Sequence, residues 1–265
     1  MKNIPYNKRS PLIIIMSFII IFGLLLTLTG CENLDSLTSP IDKSEEPTNN
    51  TTFHSDIKQQ PLPYQQKKIM KLAPLDDKQR PQDAHIQLSF SQKPKVNRNE
   101  RLDYNPPGWH NYRFKYKKQD GSIGKYWAFN RSHLVGYLFS GLNDEPKNLI
   151  TGTTELNKGS ENGMNQSNDH SMLYYESHLN HWLQENPDAK LDYQVTPLYR
   201  NNEPVPRQVR LAYVGYDKHG KRIPISFGTK EEQKGHNATV ALLDNKQSNI
   251  DIDYKTGRAK LINKL

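Results

Sequence analysis

Aromatic and β-branched residues alternate with polar ones in several runs between residues 112 and 254. Such alternation is typical of strands with one buried face. The clearest runs are residues 112–116, 125–129, 191–195 and 209–216. Two weaker ones are residues 223–227 and 250–254, and Pro224 puts the first at a sheet edge. Asp, Lys, His and Gly at residues 217–220 predict a hairpin turn.

One long helix is predicted between these runs, at residues 171–184. Its apolar residues recur at helical spacing and are Met172, Tyr175, Leu179, Trp182 and Leu183. Pro187 follows the helix as an end signal. At about 100° per residue, Glu176 lies roughly 70° from the centre of the apolar face and is expected to point inward, whereas His181 points outward. Strands on both sides of one strong helix indicate an α+β domain.

The N-terminal segment has the composition of an export signal. Lys2, Lys8 and Arg9 precede an uncharged apolar run that ends in Leu-Thr-Gly-Cys at residues 28–31, and Cys31 is the only cysteine. Residues 28–31 resemble a bacterial lipobox, which implies acylation of Cys31 and a lipid anchor in the membrane. The alternative is an uncleaved transmembrane helix, because the run is nearly long enough to span a bilayer.

Three regions are expected along the chain. Residues 1–30 are a lipoprotein signal peptide, residues 31–80 a disordered polar tether, and residues 81–265 the folded domain. The tether is expected because the stretch has few apolar residues and no clear period, so it cannot bury enough surface to order itself.

The positive net charge of the chain favours a polyanionic partner. The formal net charge is +8, and the isoelectric point is about 9.3. Basic residues are concentrated between residues 93 and 131, with aromatic residues interleaved. Cations for phosphates and rings for stacking are typical of a surface that binds nucleic acid. The alternative is an ordinary solvated strand face whose rings lie in the core.

A set of polar motifs follows this basic segment. Its members are an Asn-Arg-Ser-His tetrad ending at His133, a Lys-Asn-Leu triad centred on Asn148, then Asn157 and the helical Glu176. In order and spacing the set resembles the DNA/RNA non-specific endonuclease family of the ββα-metal superfamily, especially its secreted and competence-associated Gram-positive branch. The resemblance extends from about residue 109 to the C-terminus. It implies a ββα-metal nuclease core with a central antiparallel sheet flanked by helices.

The resemblance also implies roles for single residues. His133 would be the general base, and Asn157 would be the direct protein ligand of one divalent cation, Mg²⁺ or alternatively Mn²⁺. Asn148 would brace the site, Glu176 would orient the water ligands of the cation, and Arg131 would hold the site or contact phosphate. The implied reaction is hydrolysis of DNA and RNA at the outer face of the cell membrane, without sequence preference and with 5′-phosphorylated products.

The residue types suit that reaction. An imidazole accepts a proton from water near neutral pH, and a hard cation on one amide keeps positions free for phosphate oxygens. Two residues depart from the family pattern. Asn130 stands where many members have Asp, which leaves no carboxylate there to fix the histidine tautomer, and Ser132 stands where many have Gly. The polar stretch after Asn157 makes Asn162 and Asn165 alternative ligands.

Two other functions compete with the nuclease. A non-catalytic surface lipoprotein that binds nucleic acid would share the signal and the charge, so that only His133 and Asn157 separate the two. His178 and His181, with His170 nearby, are candidates for a zinc site, but helical spacing puts the pair on the outer side of the helix. An inhibitor or a DNA-uptake partner cannot be identified from the sequence.

Overall fold

The computed structural model describes residues 53, 55–98, 101–118 and 120–262. The expected signal peptide and Cys31 lie outside these residues. The strands are, in chain order, β1 Ile69–Leu72, β2 Ala84–Leu88, β3 Arg113–Lys117, β4 Ile123–Trp127, β5 Phe129–His133, β6 Leu149–Thr153, β7 Lys190–Leu198, β8 Gln208–Tyr216, β9 Arg222–Ile223, β10 Glu232–Lys234, β11 Thr239–Asp244, β12 Ile250–Asp253 and β13 Arg258–Leu261. The helices are α1 Tyr137–Ser140, α2 Thr154–Lys158 and α3 Met172–Glu185. Within the described part of the chain, no helix has the length and apolar character needed to cross a membrane.

An antiparallel sheet organises the fold, as predicted. Its strand order is β1-β2-β7-β8-β11-β10, and β9 pairs with the end of β8. Three two-stranded ladders, β3–β4, β5–β6 and β12–β13, complete the strands. Together with α3 they make an α+β fold. The predicted strand at residues 125–129 is instead divided between β4 and β5, because Ala128 bonds Tyr112 and Thr154 through its N–H and C=O.

The main core lies between this sheet and α3. Inward-facing residues of the central strands, such as Ile86, Tyr193 and Leu211, pack against Tyr175 and Leu179 of the helix. The predicted helix is confirmed, and the side chain of its N-cap residue Ser171 accepts a hydrogen bond from the N–H of Tyr174. Glu176 is buried on the inner side, and His181 is exposed.

The opposite face of the sheet is polar and is covered by residues 57–65, here called the strap. The backbone N–H of Leu62 donates to Asp192 Oδ2 at 3.1 Å, and that of Gln60 donates to Gln194 Oε1 at 3.2 Å. Arg210 Nη2 donates to the carbonyl of Ile57 at 2.8 Å. These bonds explain why polar side chains on this face are buried.

The strap corrects the expected start of the folded domain. Residues 31–80 were expected to form a tether, but residues 57–65 cover the sheet and β1 pairs along its whole length with β2. The described residues belong to one compact unit that spans residues 49–265. The boundary at residue 80 is wrong because the partners that order this stretch are polar groups far away in sequence, which local composition does not reveal.

Candidate active site

Two antiparallel strands followed directly by a helix carry the tetrad and the asparagine. His133 is the last residue of β5 and lies opposite Leu149 of β6. β6 leads without a loop into α2, whose N-cap Thr153 accepts a hydrogen bond from the N–H of Leu156 at 3.1 Å. Asn157 lies in the single turn that follows. In the register of the pair, α2 begins at the Phe129 end of the ladder and His133 lies at the other end, so the two residues, 24 positions apart in the sequence, approach one cavity from different ends of the hairpin.

His133 and Asn157 line the same cavity, which has a volume of about 420 Å³. Its lining residues are Arg98, Leu102, Trp109, Asn111, Trp127, Phe129, Asn130, Arg131, His133 and Asn157. The lining contains two arginines and, among the described residues, no carboxylate. The cavity is therefore suited to a negatively charged group such as phosphate.

The backbone fixes the tautomer of His133. Its Nε2 lies 2.8 Å from the carbonyl oxygen of Asn143. Because a carbonyl only accepts hydrogen bonds, Nε2 carries the hydrogen and Nδ1 keeps the lone pair. The pKa of His133 is lowered to about 4, mainly by burial and also by the nearby charge of Arg98, against the opposite effect of the Asn143 carbonyl. The ring is thus neutral at pH 7 and offers Nδ1 as a proton acceptor.

Asn148 and Glu176 hold the segment that follows His133. The side chain of Asn148 is fully buried and makes two hydrogen bonds with the backbone of Val135, of 3.0 and 2.9 Å. The next N–H, that of Gly136, donates to Glu176 Oε1 at 2.7 Å. Consecutive peptide groups are therefore fixed by side chains from two different elements. Neither side chain is among the residues that line the cavity.

Gly136 permits the approach of Glu176. A Cβ atom at this position would lie 2.3 Å from Glu176 Oε2 and 2.7 Å from Oε1. Burial raises the pKa of Glu176 to about 8, although the Gly136 N–H and the charge of Arg98 act in the opposite direction. In this metal-free arrangement the carboxyl group is therefore mostly protonated at pH 7.

The first two residues of the tetrad make different contacts. Arg131 donates from Nε and Nη2 to Asn105 Oδ1 at 3.1 and 2.6 Å, and its guanidinium carbon lies 4.6 Å from the centroid of the Trp109 ring. Asn130 Nδ2 donates to Thr154 Oγ1 at 2.6 Å. Asn130 thus connects β5 to the first residue of α2, the helix that carries the candidate ligand.

The buried hydroxyl of Ser132 is accommodated by a glycine on the neighbouring strand. A Cβ atom at Gly152 would lie 2.3 Å from Ser132 Oγ and 2.8 Å from its Cβ. Both residues are buried within the β5–β6 ladder. The serine of the tetrad is therefore matched by a glycine across the strand pair.

Asn157 is the asparagine best placed to bind a cation. Its side chain lines the cavity and makes no hydrogen bond with another described residue. Asn162 is occupied by the hydroxyl of Tyr116 at 2.9 Å, and Asn165 by the N–H of Ser167 at 3.1 Å. Neither of these two lines the cavity.

A cage of several charged ligands is not present in the described residues, since no group of three His, Cys, Asp or Glu side chains could hold a metal ion there. The helix histidines do not converge. His178 Nδ1 donates to the carbonyl of Tyr174 and its ring contacts Phe227, whereas His181 is exposed. A cation in the cavity would therefore depend on an amide oxygen, water and phosphate.

Sequence reasoning missed several residues of the site. The Asn143 carbonyl has no side-chain signature, and Asn105 lies outside every motif. Trp127 and Arg98 were noted only as parts of an aromatic and basic stretch. The Asn-Pro-Pro-Gly turn that begins at Asn105, just before the strands, was the one available signal.

Comparison with known sequences assigns the chain to a protein family. A sequence model described as DNA/RNA non-specific endonuclease matches residues 63–215, more than half of the chain. The chain belongs to the DNA/RNA non-specific endonuclease family. This endonuclease is accordingly a phosphodiester hydrolase, and nucleic acid is its substrate. No curated protein matches it in sequence.

Solved structures are similar to the endonuclease over most of its length. One, described as an extracellular nuclease, is 36% identical, covers 77% of this chain and 99% of its own, and has a TM-score of 0.63. Another, an extracellular endonuclease, is 38% identical with coverages of 76% and 89% and a TM-score of 0.62. NucA from Streptococcus agalactiae with a magnesium ion bound is 21% identical, with coverages of 79% and 85% and a TM-score of 0.54. The last similarity is one of fold, and together they bear out the ββα-metal nuclease fold.

Proposed function

We propose that the protein is a metal-dependent endonuclease that cleaves DNA and RNA outside the cell without sequence preference. His133 is the general base, and Asn157 is the protein ligand of one divalent cation. The observation that carries the proposal is that these two side chains line one cavity together with Arg98 and Arg131. The extracellular site of action is supported by the names of the two similar nucleases.

In the proposed reaction, Nδ1 of His133 takes a proton from the water that attacks phosphorus. The Asn143 carbonyl keeps the ring hydrogen on Nε2, and burial keeps the ring neutral, so the lone pair on Nδ1 is available at pH 7. Arg131 and Arg98 stabilise the negative charge that accumulates on the phosphate oxygens. Attack on phosphorus with departure of O3′ leaves a 5′-phosphorylated end.

The residues present fit a hard cation. Asn157 offers a neutral amide oxygen that has no other described partner, in a cavity large enough for several waters beside a phosphate group. When bound, Mg²⁺, or alternatively Mn²⁺, stabilises charge on the phosphate and on the leaving oxygen. Magnesium is favoured because the similar NucA structure contains it.

Asn148 and Glu176 are positioning residues in this scheme. Asn148 holds the backbone at Val135, so that β5 ends with His133 facing the cavity. Glu176 accepts from the Gly136 N–H and so holds the backbone three residues beyond His133. Asn130 acts through α2, because its bond to Thr154 fixes the helix that presents Asn157.

The protein is also proposed to be a lipoprotein. Residues 1–30 are removed as a signal peptide, Cys31 carries the lipid, and the chain between Cys31 and the strap is the tether that holds the nuclease at the outer face of the membrane. Cys31→Ala should release the protein into the culture medium. Unchanged retention in the membrane fraction would favour an uncleaved span instead.

Digestion of plasmid DNA and total RNA tests the catalytic assignment. With magnesium the parent should cut both, and EDTA should abolish cleavage. His133→Ala should lose at least about 10²-fold in kcat while its affinity for DNA, measured in EDTA, is retained. The control is His181→Ala on the exposed side of α3, which should cut like the parent. A His133→Ala enzyme that cuts as fast as the parent excludes this residue as the base.

A paired substitution tests the ligand. Asn157→Ala should raise the magnesium concentration needed for half-maximal activity by at least about tenfold, because the direct protein ligand is lost. Asn162→Ala, a matched change on the same connection, should leave this concentration unaltered. If Asn162→Ala shows the larger effect, the ligand is misassigned.

A further inference from the structure

The β3–β4 hairpin separates its charged and aromatic residues onto two faces. Its outward-facing side chains are Arg113, Lys115 and Lys117 of β3 and Ile123, Lys125 and Trp127 of β4. In the register of the pair, Arg113 lies opposite Trp127, Lys115 opposite Lys125, and Lys117 opposite Ile123. Four cations and one exposed indole therefore share one face, here called the outer face.

The other face of the hairpin is packed. Phe114 packs against a second hydrophobic cluster built around Phe129 and Ile250, and its ring is tilted by 57° against that of Tyr126 with the centroids 6.2 Å apart. The hydroxyl of Tyr126 donates to Asn249 at 2.8 Å. Phe114 and Tyr126 thus anchor the inner face of the hairpin and leave its outer face to solvent.

The outer face carries unneutralised positive charge. Lys115 and Lys125 are directly opposite one another, an arrangement that destabilises a strand pair. None of the four cations forms an ion pair with a carboxylate of the described residues. An anionic ligand would remove this repulsion, and successive outward side chains on one strand are roughly 6.6 Å apart, a spacing that suits an extended polyanion.

The outer face is continuous with the catalytic cavity through Trp127. This indole is 44% exposed, lines the cavity beside His133, and has the guanidinium carbon of Arg113 5.3 Å from its ring centroid. A ligand on the outer face would therefore pass directly into the site of cleavage. That continuity favours nucleic acid over an anionic lipid surface, which would have no reason to reach the cavity.

We propose that the outer face binds the single-stranded part of the substrate next to the scissile phosphate. The phosphates lie along Arg113, Lys115 and Lys125, and an unpaired base stacks on Trp127. The proposal rests on the nuclease function proposed above, and it adds the surface and the strandedness that the enzyme recognises.

Binding in EDTA separates this surface from catalysis. The probe is a fluorescently labelled single-stranded oligonucleotide, and the variant is Lys115→Gln with Lys125→Gln. Its Kd should rise about tenfold, and the slope of log Kd against log salt should fall by about 1.4, since two phosphate contacts are lost. Lys218→Gln with Lys221→Gln, which removes the same charge from exposed positions of the β8–β9 turn, should change Kd less than twofold. Equal effects of the two pairs would overturn the proposal, because only net charge would then matter.

Aromatic variants test the stacking. Trp127→Ala should bind the single strand about tenfold more weakly but lose much less for a fully paired duplex, and Trp127→Phe should restore most of the affinity. Equal losses of affinity for single strand and duplex would overturn the stacking.

Vesicles containing anionic lipid test the alternative ligand. If Lys115→Gln with Lys125→Gln weakens binding to these vesicles but not to the oligonucleotide, the outer face is a membrane surface and the proposal fails.

Cleavage rates on two substrates test whether the outer face binds substrate during turnover. The loss caused by Lys115→Gln with Lys125→Gln should be about tenfold greater on a long single strand than on a small chromogenic phosphodiester, and should appear in KM. Equal losses would mean that the hairpin supports the cavity instead of the substrate. A parent enzyme that cuts neither substrate would refute the nuclease function, while the binding comparison in EDTA would still decide the role of the outer face.

Discussion

His133 and Glu176 are both buried, and burial favours the uncharged form of each. The pKa of His133 is lowered to about 4, and that of Glu176 is raised to about 8. At pH 7 the imidazole is therefore neutral and the carboxyl group is mostly protonated.

The pH profile of cleavage tests the state of the base. Since the ring must be unprotonated to accept a proton, and its pKa is about 4, log kcat/KM should stay nearly level from pH 7 to below pH 6 and fall only toward pH 4. The measurement uses saturating magnesium, with circular dichroism to show that the enzyme remains folded. A half-maximal rate near pH 6.5, the ordinary histidine value, would mean that the ring is solvated.

The substitution Glu176→Gln, measured in EDTA, tests whether the buried carboxyl group is protonated. The folded pKa of about 8 lies above the ordinary value of 4.5, so the stability from the protonated carboxyl is full below pH 4.5 and is lost as the pH rises through 8. Glutamine cannot ionise and still accepts from Gly136. The free energy of unfolding of the variant minus that of the parent should therefore increase from pH 5 to pH 8. Glu185→Gln, exposed at the end of α3, should show no such trend.

At the scale of elements, the site depends on the short connection between β5, β6 and α2. The hairpin carries the proposed base and the helix carries the proposed ligand, and a hydrogen bond between Asn130 and Thr154 joins the two elements. α2 has only five residues, so it is too short to be stable alone and is held by its N-cap and by these contacts. Packing within the strand pair therefore controls where Asn157 lies.

A double-mutant cycle tests that packing. Gly152→Ala should lower the free energy of unfolding by about 1–3 kcal/mol, because its Cβ meets the Ser132 side chain at 2.3 Å. In a Ser132→Gly background the same change should be neutral or stabilising. Urea unfolding of the four proteins measures the coupling. An equal cost of Gly152→Ala in both backgrounds would show that the two residues do not clash.

The helices and strands that were predicted correctly from the sequence are those in which apolar residues recur regularly over a long stretch. α3, β7 and β8 were predicted within a few residues, because one face of each packs on the core. β2 was missed although its sequence alternates, with Ala84, Ile86 and Leu88 in the main core and His85 and Gln87 buried on the polar face. α1 and α2 are too short to show a period. At the site, the motifs identified the side chains but not the backbone partner at Asn143.

At the scale of the whole molecule, the polar face of the sheet needs the strap. Asp192 receives hydrogen bonds from the Leu62 N–H and from Gln87, and it pairs with His85 at 2.7 Å. The side chains on this face are buried only because the strap lies across them. The strap also determines where the nuclease domain begins relative to the proposed anchor.

Two truncations test the strap. A chain that begins at residue 67 should unfold about 5–10 °C below the parent, because the buried groups of Asp192 and Gln194 lose their partners, a loss of roughly 2–3 kcal/mol. A chain that begins at residue 55 lacks the proposed tether but keeps the strap, and its Tm should equal that of the parent. Equal Tm values for the two truncations would show that the strap adds nothing to stability.

The Asn143 carbonyl that fixes His133 belongs to the main chain, and no side-chain replacement can delete it. The course of the loop between α1 and Pro146, and not the identity of any one side chain in it, therefore decides which ring nitrogen of His133 is free to accept a proton. Substitutions that keep this course leave the carbonyl in place, whereas a change in the length of the loop moves it. An insertion or deletion of a single residue there would disable the enzyme where many point changes would pass unnoticed.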